Sequence, residues 1–275
     1  MVRNPSIFQK IIQRFTASGI VIPQSVIIPD VSFYQETINF QKMKANGARG
    51  VIIRAGQNTW PDPKFSLFWQ NAKAAGLPRG TYWYYDSRTK PEDQADLFYN
   101  QFKSDMPEME IVADYEESYG GAYSGWRNLK RFIERLRLLG VPREKIAIYT
   151  GYYYWRSNSP QSDPLELSYF KLYRLWLAWY TTNPAYVSIP APWVNSDLLF
   201  WQYTSTGDGP AYGVGSLGID LNYFNGSASD FDVRYGSTTP PAEIDYPIEG
   251  VTRKRWERVQ VLTIEPGKIE RVDIV

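Results

Sequence analysis

The sequence predicts an α/β protein folded as a closed barrel of eight strands with about five helices. Three observations carry that expectation. Short apolar runs recur between residues 26 and 224, separated by helix-period or turn-rich segments, as in parallel βαβ units rather than a meander. After the fifth run, those intervening segments shorten and fill with Pro, Asn and Ser. A helical half thus precedes a half with few helices, which fits a regular (β/α)₈ pattern poorly. Finally, 275 residues suffice for one barrel, which needs about 200–250, plus small appendages.

The elements follow in order. VIIPDVS (26–32) reads as a strand and ETINFQKMKANG (36–47) as a helix closed by Gly47. ARGVIIRAGQ (48–57) is a β-branched strand, and DPKFSLFWQNAKAAG (62–76) is a helix with Pro near its start and Gly at its end. LPRGTYWYYDS (77–87) is the third strand. KPEDQADLFYNQFKS (90–104) is a helix whose acidic first turn suits the helix dipole. MEIVADYEES (109–118) is the fourth strand, and YSGWRNLKRFIERLRLLG (123–140) the longest amphipathic helix. The strands EKIAIYTGYYYW (144–155), LWLAWY (175–180), LLFWQYTSTG (198–207) and GIDLNYF (218–224) complete the set.

Residues 1–25 carry Ile7, Phe8, Ile11, Ile12 and Phe15 at helical spacing, interrupted by Gln9, Lys10, Gln13 and Arg14. No continuous apolar run of signal-peptide type forms, so a helical extension without a signal peptide is expected. Composition shifts near 225–250 toward Gly, Ser, Thr and Pro, and RKRWERVQVLTIEPGKIERVDIV beyond it reads as a β-hairpin too short to hold its own core. The expected organisation is therefore an extension over 1–25, a barrel over 26–228, and a linker with hairpin over 229–275. No window approaches the ~20 apolar residues of a membrane span.

Two zeros in the composition restrict the chemistry. With no His there is no Ser-His-Asp triad and no His-ligated metal; with no Cys there is no thiol nucleophile or disulfide. The balance of 30 Lys+Arg against 29 Asp+Glu offers no basic face for nucleic acid. What remains is chemistry on carboxylates, Lys, Tyr or Ser/Thr. An aromatic content of 16% leans toward carbohydrate, because aromatic faces stack on sugar rings.

Active-site groups of such barrels sit at the C-terminal ends of strands. The acidic residues found there are Asp30, Asp86, Asp114, Glu116, Glu117 and Asp220. In Asp114-Tyr115-Glu116 the period of two turns both acids to one face, about 6–7 Å apart at Cβ, with Tyr115 opposite. Like charges held that close in a partly desolvated site raise one pKa and leave an acid beside a base, as glycoside hydrolysis requires. A lone Asp-x-Glu is ordinarily a solvated strand end. Here, however, the first and last strands of a closed barrel are neighbours, which brings Asp30 and Asp220 to the same mouth. Four converging carboxyls serve either catalysis or a hard cation such as Ca²⁺; no metal or cofactor is expected. Tyr82 and Tyr84 share a face, and Tyr84, Asp86, Tyr149, Trp179, Tyr180, Trp201 and Gln202 are candidate sugar contacts, although core packing accounts for any single aromatic. Arg54 either clamps a substrate carboxylate or neutralises Asp30 or Asp86.

The run Asp30-Val31-Ser32-Phe33-Tyr34-Gln35 resembles the opening "DVSxxQ" of glycoside hydrolase family 25, the Chalaropsis-type lysozymes, which are N-acetylmuramidases. The resemblance continues in order through GVIIRAG (50–56), AKAAGLPRGTYWYY (72–85), Asp114-Tyr115-Glu116, IAIYTGYYYW (146–155), LWLAWY (175–180), WQYTSTGDG (201–209) and GIDLNYFNG (218–226). It covers about residues 26–226 and implies a TIM-like (β/α)₅(β)₃ barrel that hydrolyses the β-1,4 bond between N-acetylmuramic acid and N-acetylglucosamine. It implies Glu116 as general acid, and Asp114 as the carboxylate that acts directly or positions the substrate's N-acetyl group. Asp30 and Asp220 stand where the family has its further acids, and Asp86 where a neutral residue is more usual. The expected partner is bacterial peptidoglycan, met at the cell wall by a secreted or phage-released monomer. The alternative is a non-catalytic wall-binding or phage structural protein on the same barrel.

Overall fold

The structure is a computed structural model and describes residues 26–236; the expected N-terminal helix and C-terminal hairpin lie outside the described residues. The chain begins with β1 (Ile27–Val31), α1 (Phe40–Ala45), β2 (Val51–Gln57), the short β3 (Trp60–Pro61), α2 (Phe65–Ala74) and β4 (Arg79–Tyr84). It continues with α3 (Pro91–Phe102), β5 (Ile111–Asp114), α4 (Trp126–Leu138), β6 (Ile146–Gly151), α5 (Tyr152–Asn158) and α6 (Pro164–Phe170). β7 (Arg174–Ala178), β8 (Leu198–Asp208), β9 (Gly218–Phe224) and α7 (Ala228–Tyr235) complete it. The strand order is β1-β9-β8-β7-β6-β5-β4-β2, closed by pairing of β1 with β2, and β3 folds back on β2 as a ninth strand. The expected eight-stranded barrel is present, with this two-residue addition.

Strands β1, β2 and β4 to β8 run parallel, whereas β9 is antiparallel to both β8 and β1. That reversal needs no helical crossover, which is why the segment between β8 and β9 contains no helix. The earlier crossovers are helical for local reasons. Pro91 opens α3 and is followed by Glu92 and Asp93 in the first turn. The Asp163 carboxylate accepts from the backbone N–H groups of Leu165 and Glu166 at the start of α6, with Pro164 in the first turn. The expected fifth strand stops at Gly151 rather than Trp155, because Tyr152–Asn158 coils into α5 and delivers Trp155, fully buried, into the outer core.

Alternation along the strands separates two cores. Ile53, Trp83, Ile111, Ala113, Ile148 and Leu175 face outward under the helices, where Phe98 of α3 packs on both Phe102 of the same helix and Phe132 of α4. Ile28, Ile52, Val112, Ala147, Trp176 and Phe200 fill the barrel itself. Each buried Ile, Leu, Val or Phe among them contributes about 1.5–3 kcal/mol. The barrel body also runs past the expected boundary at 228. Ser227 caps α7 by a reciprocal bond with Asp230, and Phe231 and Tyr235 seal the bottom of the interior. There the Tyr235 hydroxyl donates to Glu110 Oε2 at 2.6 Å and Arg234 Nη2 donates to Oε1 at 2.7 Å.

Candidate active site

Register places the site. Tyr84 of β4 lies beside Asp114 of β5, Asp114 beside Tyr149 of β6, and Tyr149 beside Trp176 of β7. Neighbours in register on parallel strands point the same way, so these four side chains form one inward layer at the C-terminal mouth. Asp114 ends β5, yet the ladder continues for one bond from the Tyr115 N–H to the Tyr149 carbonyl, at 2.9 Å. Parity therefore holds through Glu116. Glu116 shares the cavity with Asp114, and Tyr115 packs on the opposite, outer side.

Asp30 and Asp220 reach this mouth by a route that periodicity does not reveal. Asp30 sits near the end of β1 and Asp220 near the start of β9, and the two are directly paired because β9 is antiparallel. Residues so paired have Cβ atoms about 4.5–5.5 Å apart. All four acids, with Arg54, Tyr84, Tyr149 and Gln202, line a cavity of about 200 Å³. That is smaller than the roughly 300–1,000 Å³ of a pocket enclosing a drug-sized ligand, so it takes one sugar residue while the rest of a chain lies outside.

A polar network holds Asp30. Its Oδ2 accepts from Gln202 Nε2 at 3.0 Å and from Asn222 Nδ2 at 2.8 Å. Gln202 Oε1 in turn accepts from the hydroxyls of Tyr149 and Tyr180, at 2.8 and 3.1 Å, and Asn222 Oδ1 accepts from Trp176 Nε1 at 2.6 Å. Asn222 and Trp176 were not singled out from the sequence. Asn222 was accessible in principle, standing two residues from Asp220 on the same strand face, whereas Trp176 was hidden inside an apolar run.

Three candidates lie elsewhere. Trp201 neighbours the inward Gln202, so the period of two sends it outward; it is fully buried and its Nε1 donates to the Trp179 carbonyl. Asp86 is also fully buried, but outside the cavity, where its carboxylate accepts from Arg88 Nε and Nη2. Burial pushes Asp86 up, and the hydrogen bonds and charge of Arg88 outweigh this to hold it below its ordinary value. Trp179 lies just past β7 on the rim and stacks on Tyr153 at 5.9 Å. Tyr180, largely exposed beside it, touches the site only through its hydroxyl bond to Gln202. Arg54 pairs with neither Asp30 nor Asp86: its Nε donates to Asp62 Oδ2 at 3.0 Å.

The four acids resist ionising together. Burial raises Glu116 to about 7, helped by the charges of Asp30 and Glu117 and opposed by the Tyr149 hydroxyl. Burial also lifts Asp220 to about 8, with Asp30 and Glu116 adding to the rise. Asp114 is pushed well above the carboxylate range by burial and then by Glu116 and Asp30, with Arg54 opposing. Asp30 rises least, to about 6, because the amides of Asn222 and Gln202 favour its charged form against burial. At neutral pH the site thus holds one carboxylate fixed by amide donors among acids still able to give a proton. Among the described residues no three acids are grouped as ligands around a common point.

A closed mixed barrel with an acid pair on one strand end and two further carboxyls across the mouth defines a carboxylate-dependent glycoside hydrolase. The model of the glycosyl hydrolases family 25 matches residues 29–211, and the chain belongs to that family. It is 30% identical over 223 residues to the uncharacterized protein YegX of Escherichia coli strain K12, covering 77% of this chain and 75% of that one. It is 28% identical over 211 residues to lysozyme M1 of Streptomyces globisporus, covering 73% and 68%. The crystal structure of a bacterial lysozyme from Streptomyces coelicolor superposes with a TM-score of 0.62 at 25% identity, over 78% of this chain and 98% of that one. The chain is a glycoside hydrolase of the lysozyme type.

Proposed function

We propose that the chain is an N-acetylmuramidase that cleaves the β-1,4 bond from N-acetylmuramic acid to N-acetylglucosamine, with Glu116 as acid and Asp114 as the group that aligns the substrate's acetamido arm. The observation that carries the assignment of Asp114 is its Oδ1, which is buried and has no hydrogen-bond partner among the described residues. A buried acceptor left unmatched costs about 1–3 kcal/mol, and an acetamido N–H of the bound sugar supplies the missing donor. Held that way, the acetamido oxygen attacks C1. The C1–O bond to the leaving sugar breaks, and Glu116 delivers its proton to the departing oxygen. Water then adds to C1 of the oxazolinium ion, giving its proton back to Glu116 and restoring the acetamido group with net retention. A Glu116 raised to about 7 by burial is still substantially protonated at neutral pH, as the first step requires.

On purified peptidoglycan, Glu116→Gln is expected to lower kcat by about 10²–10⁴-fold with the fold intact. Wild-type digests are expected to carry muramic acid at every new reducing end. Full activity in Glu116→Gln removes it as the acid, and N-acetylglucosamine at the new reducing ends overturns the bond assignment.

A further inference from the structure

Arg54, like Asp114, carries one orphaned atom. The side chain is 5% exposed and faces the cavity, yet its Nη2 has no hydrogen-bond partner among the described residues. The guanidinium is not loose. Asp62, itself 4% exposed, accepts from Nε through Oδ2 and ties the same oxygen to the Phe33 N–H, while its Oδ1 accepts from the Lys64 N–H. The rings of Phe33, Tyr34 and Trp60 lie 4.8, 5.2 and 5.2 Å from the guanidinium carbon. A cation fixed from behind and walled by aromatics, with one buried donor left unmatched on a side chain that lines the cavity, is built to receive an acceptor from a ligand.

The reading of the site as a muramidase, on which this step rests, limits what that acceptor is. Beside the acid must lie the muramic acid residue, because its C1 becomes the new reducing end. Muramic acid differs from glucosamine only in the 3-O-lactyl ether, which ends in a carboxylate when free and in an amide when peptide is attached. Both forms present a carbonyl-type oxygen, and both carry a methyl group suited to an aromatic wall. We propose that Arg54 Nη2 donates to the lactyl oxygen of the bound muramic acid, with the exposed Tyr34 and Trp60 rings covering the lactyl methyl. Arg54 is then the specificity determinant that distinguishes this sugar from N-acetylglucosamine. Asp62 is a positioning residue acting through it.

The test is binding of the free sugars, which needs no turnover. Wild-type protein titrated with N-acetylmuramic acid and with N-acetylglucosamine is expected to bind the first about tenfold or more tightly, the worth of one charge-assisted hydrogen bond. Arg54→Lys keeps the charge but lacks the fork. It is expected to weaken binding of N-acetylmuramic acid more than of N-acetylglucosamine and so reduce that preference to within about twofold. Equal weakening of both sugars makes Arg54 a structural or field-setting residue and overturns the proposal. Tyr34→Ala, on a largely exposed ring, guards against a folding defect at Arg54 and is expected to narrow the same preference. A wild-type protein with no preference between the sugars overturns the inference while leaving hydrolysis of walls untouched; failure of wild-type protein to release muramic acid ends overturns the muramidase reading instead.

Discussion

At the scale of single residues, the mouth gives up stability for chemistry. Asp30 and Asp220 face each other across an antiparallel pair, and each is more acidic in an unfolded chain than in the fold. A carboxyl raised on folding binds more protons in the native state. Its contribution is fully present below the unfolded value, near pH 4, and is lost as pH climbs through the folded one. For Asp220, raised to about 8 mainly by burial, the window runs from about pH 4 to about pH 8. Replacing the acid by an uncharged isostere removes that loss. Asp220→Asn is therefore expected to melt higher than wild type at pH 8, by up to about 2–4 °C for each kcal/mol recovered, with the difference shrinking toward pH 4. Calorimetry of both proteins across that range checks the sign; an equal or lower melting temperature at pH 8 would show that Asp220 is stably ionised in the fold.

At the scale of elements, legibility followed period and length. The apolar runs of β2 and β6 and the alternation of β9 are plain in the sequence, and so is the shared face of Asp114 and Glu116, because alternation survives wherever strand pairing does. Direction was not legible: an alternating run reads the same parallel or antiparallel, so nothing in GIDLNYF announced that Asp220 opens β9 instead of closing it. The outward direction of Trp201 is hidden for a related reason, since it follows only from flanking an inward Gln202. The helix α7 was concealed by its surroundings, a short Ala-Ser-Asp start amid Gly and Ser that reads as linker. Its importance lies in packing that no local pattern encodes. Phe231 is 1% exposed at the floor of the barrel, and Glu110, 2% exposed, depends on Tyr235 and Arg234 for its partners. Phe231→Ala is expected to cost about 3–5 kcal/mol and Tyr235→Phe about 1–3 kcal/mol in urea unfolding. Because this floor is remote from the mouth, kcat of the folded fraction should stay unchanged in both. A loss of kcat without a loss of stability would tie the floor to the site.

At the scale of the whole molecule, the geometry of the mouth decides how a polymer lies on it. A cavity of about 200 Å³ at the barrel end admits one ring, so the flanking sugars of a glycan chain must rest on the rim. That rim is unequal. On the β1–β3 side stand Tyr34 and Trp60 around Arg54. On the β6–β7 side Tyr153, 73% exposed, stacks on Trp179 with the ring planes 28° apart, and Tyr180 leans back to Gln202. Part of the aromatic excess in the composition is thus core, as with Trp83, Trp155 and Trp201, and part is a flat apolar surface of the kind sugar rings stack upon. The two parts separate by experiment. Tyr153 is exposed, so its truncation to Ala should change stability by no more than about 0.5 kcal/mol. If a flanking sugar rests on the Tyr153–Trp179 stack, Tyr153→Ala loses an aromatic contact worth about 0.5–1.5 kcal/mol, or roughly 2–10-fold in KM. That loss appears only with glycans long enough to reach the rim. Kinetics on a ladder of peptidoglycan fragments should therefore show wild-type and variant converging on the shortest cleavable fragment and parting as length increases, with kcat alike throughout. Parallel curves at every length would mean that the chain leaves the barrel by another path, over the Tyr34–Trp60 side alone.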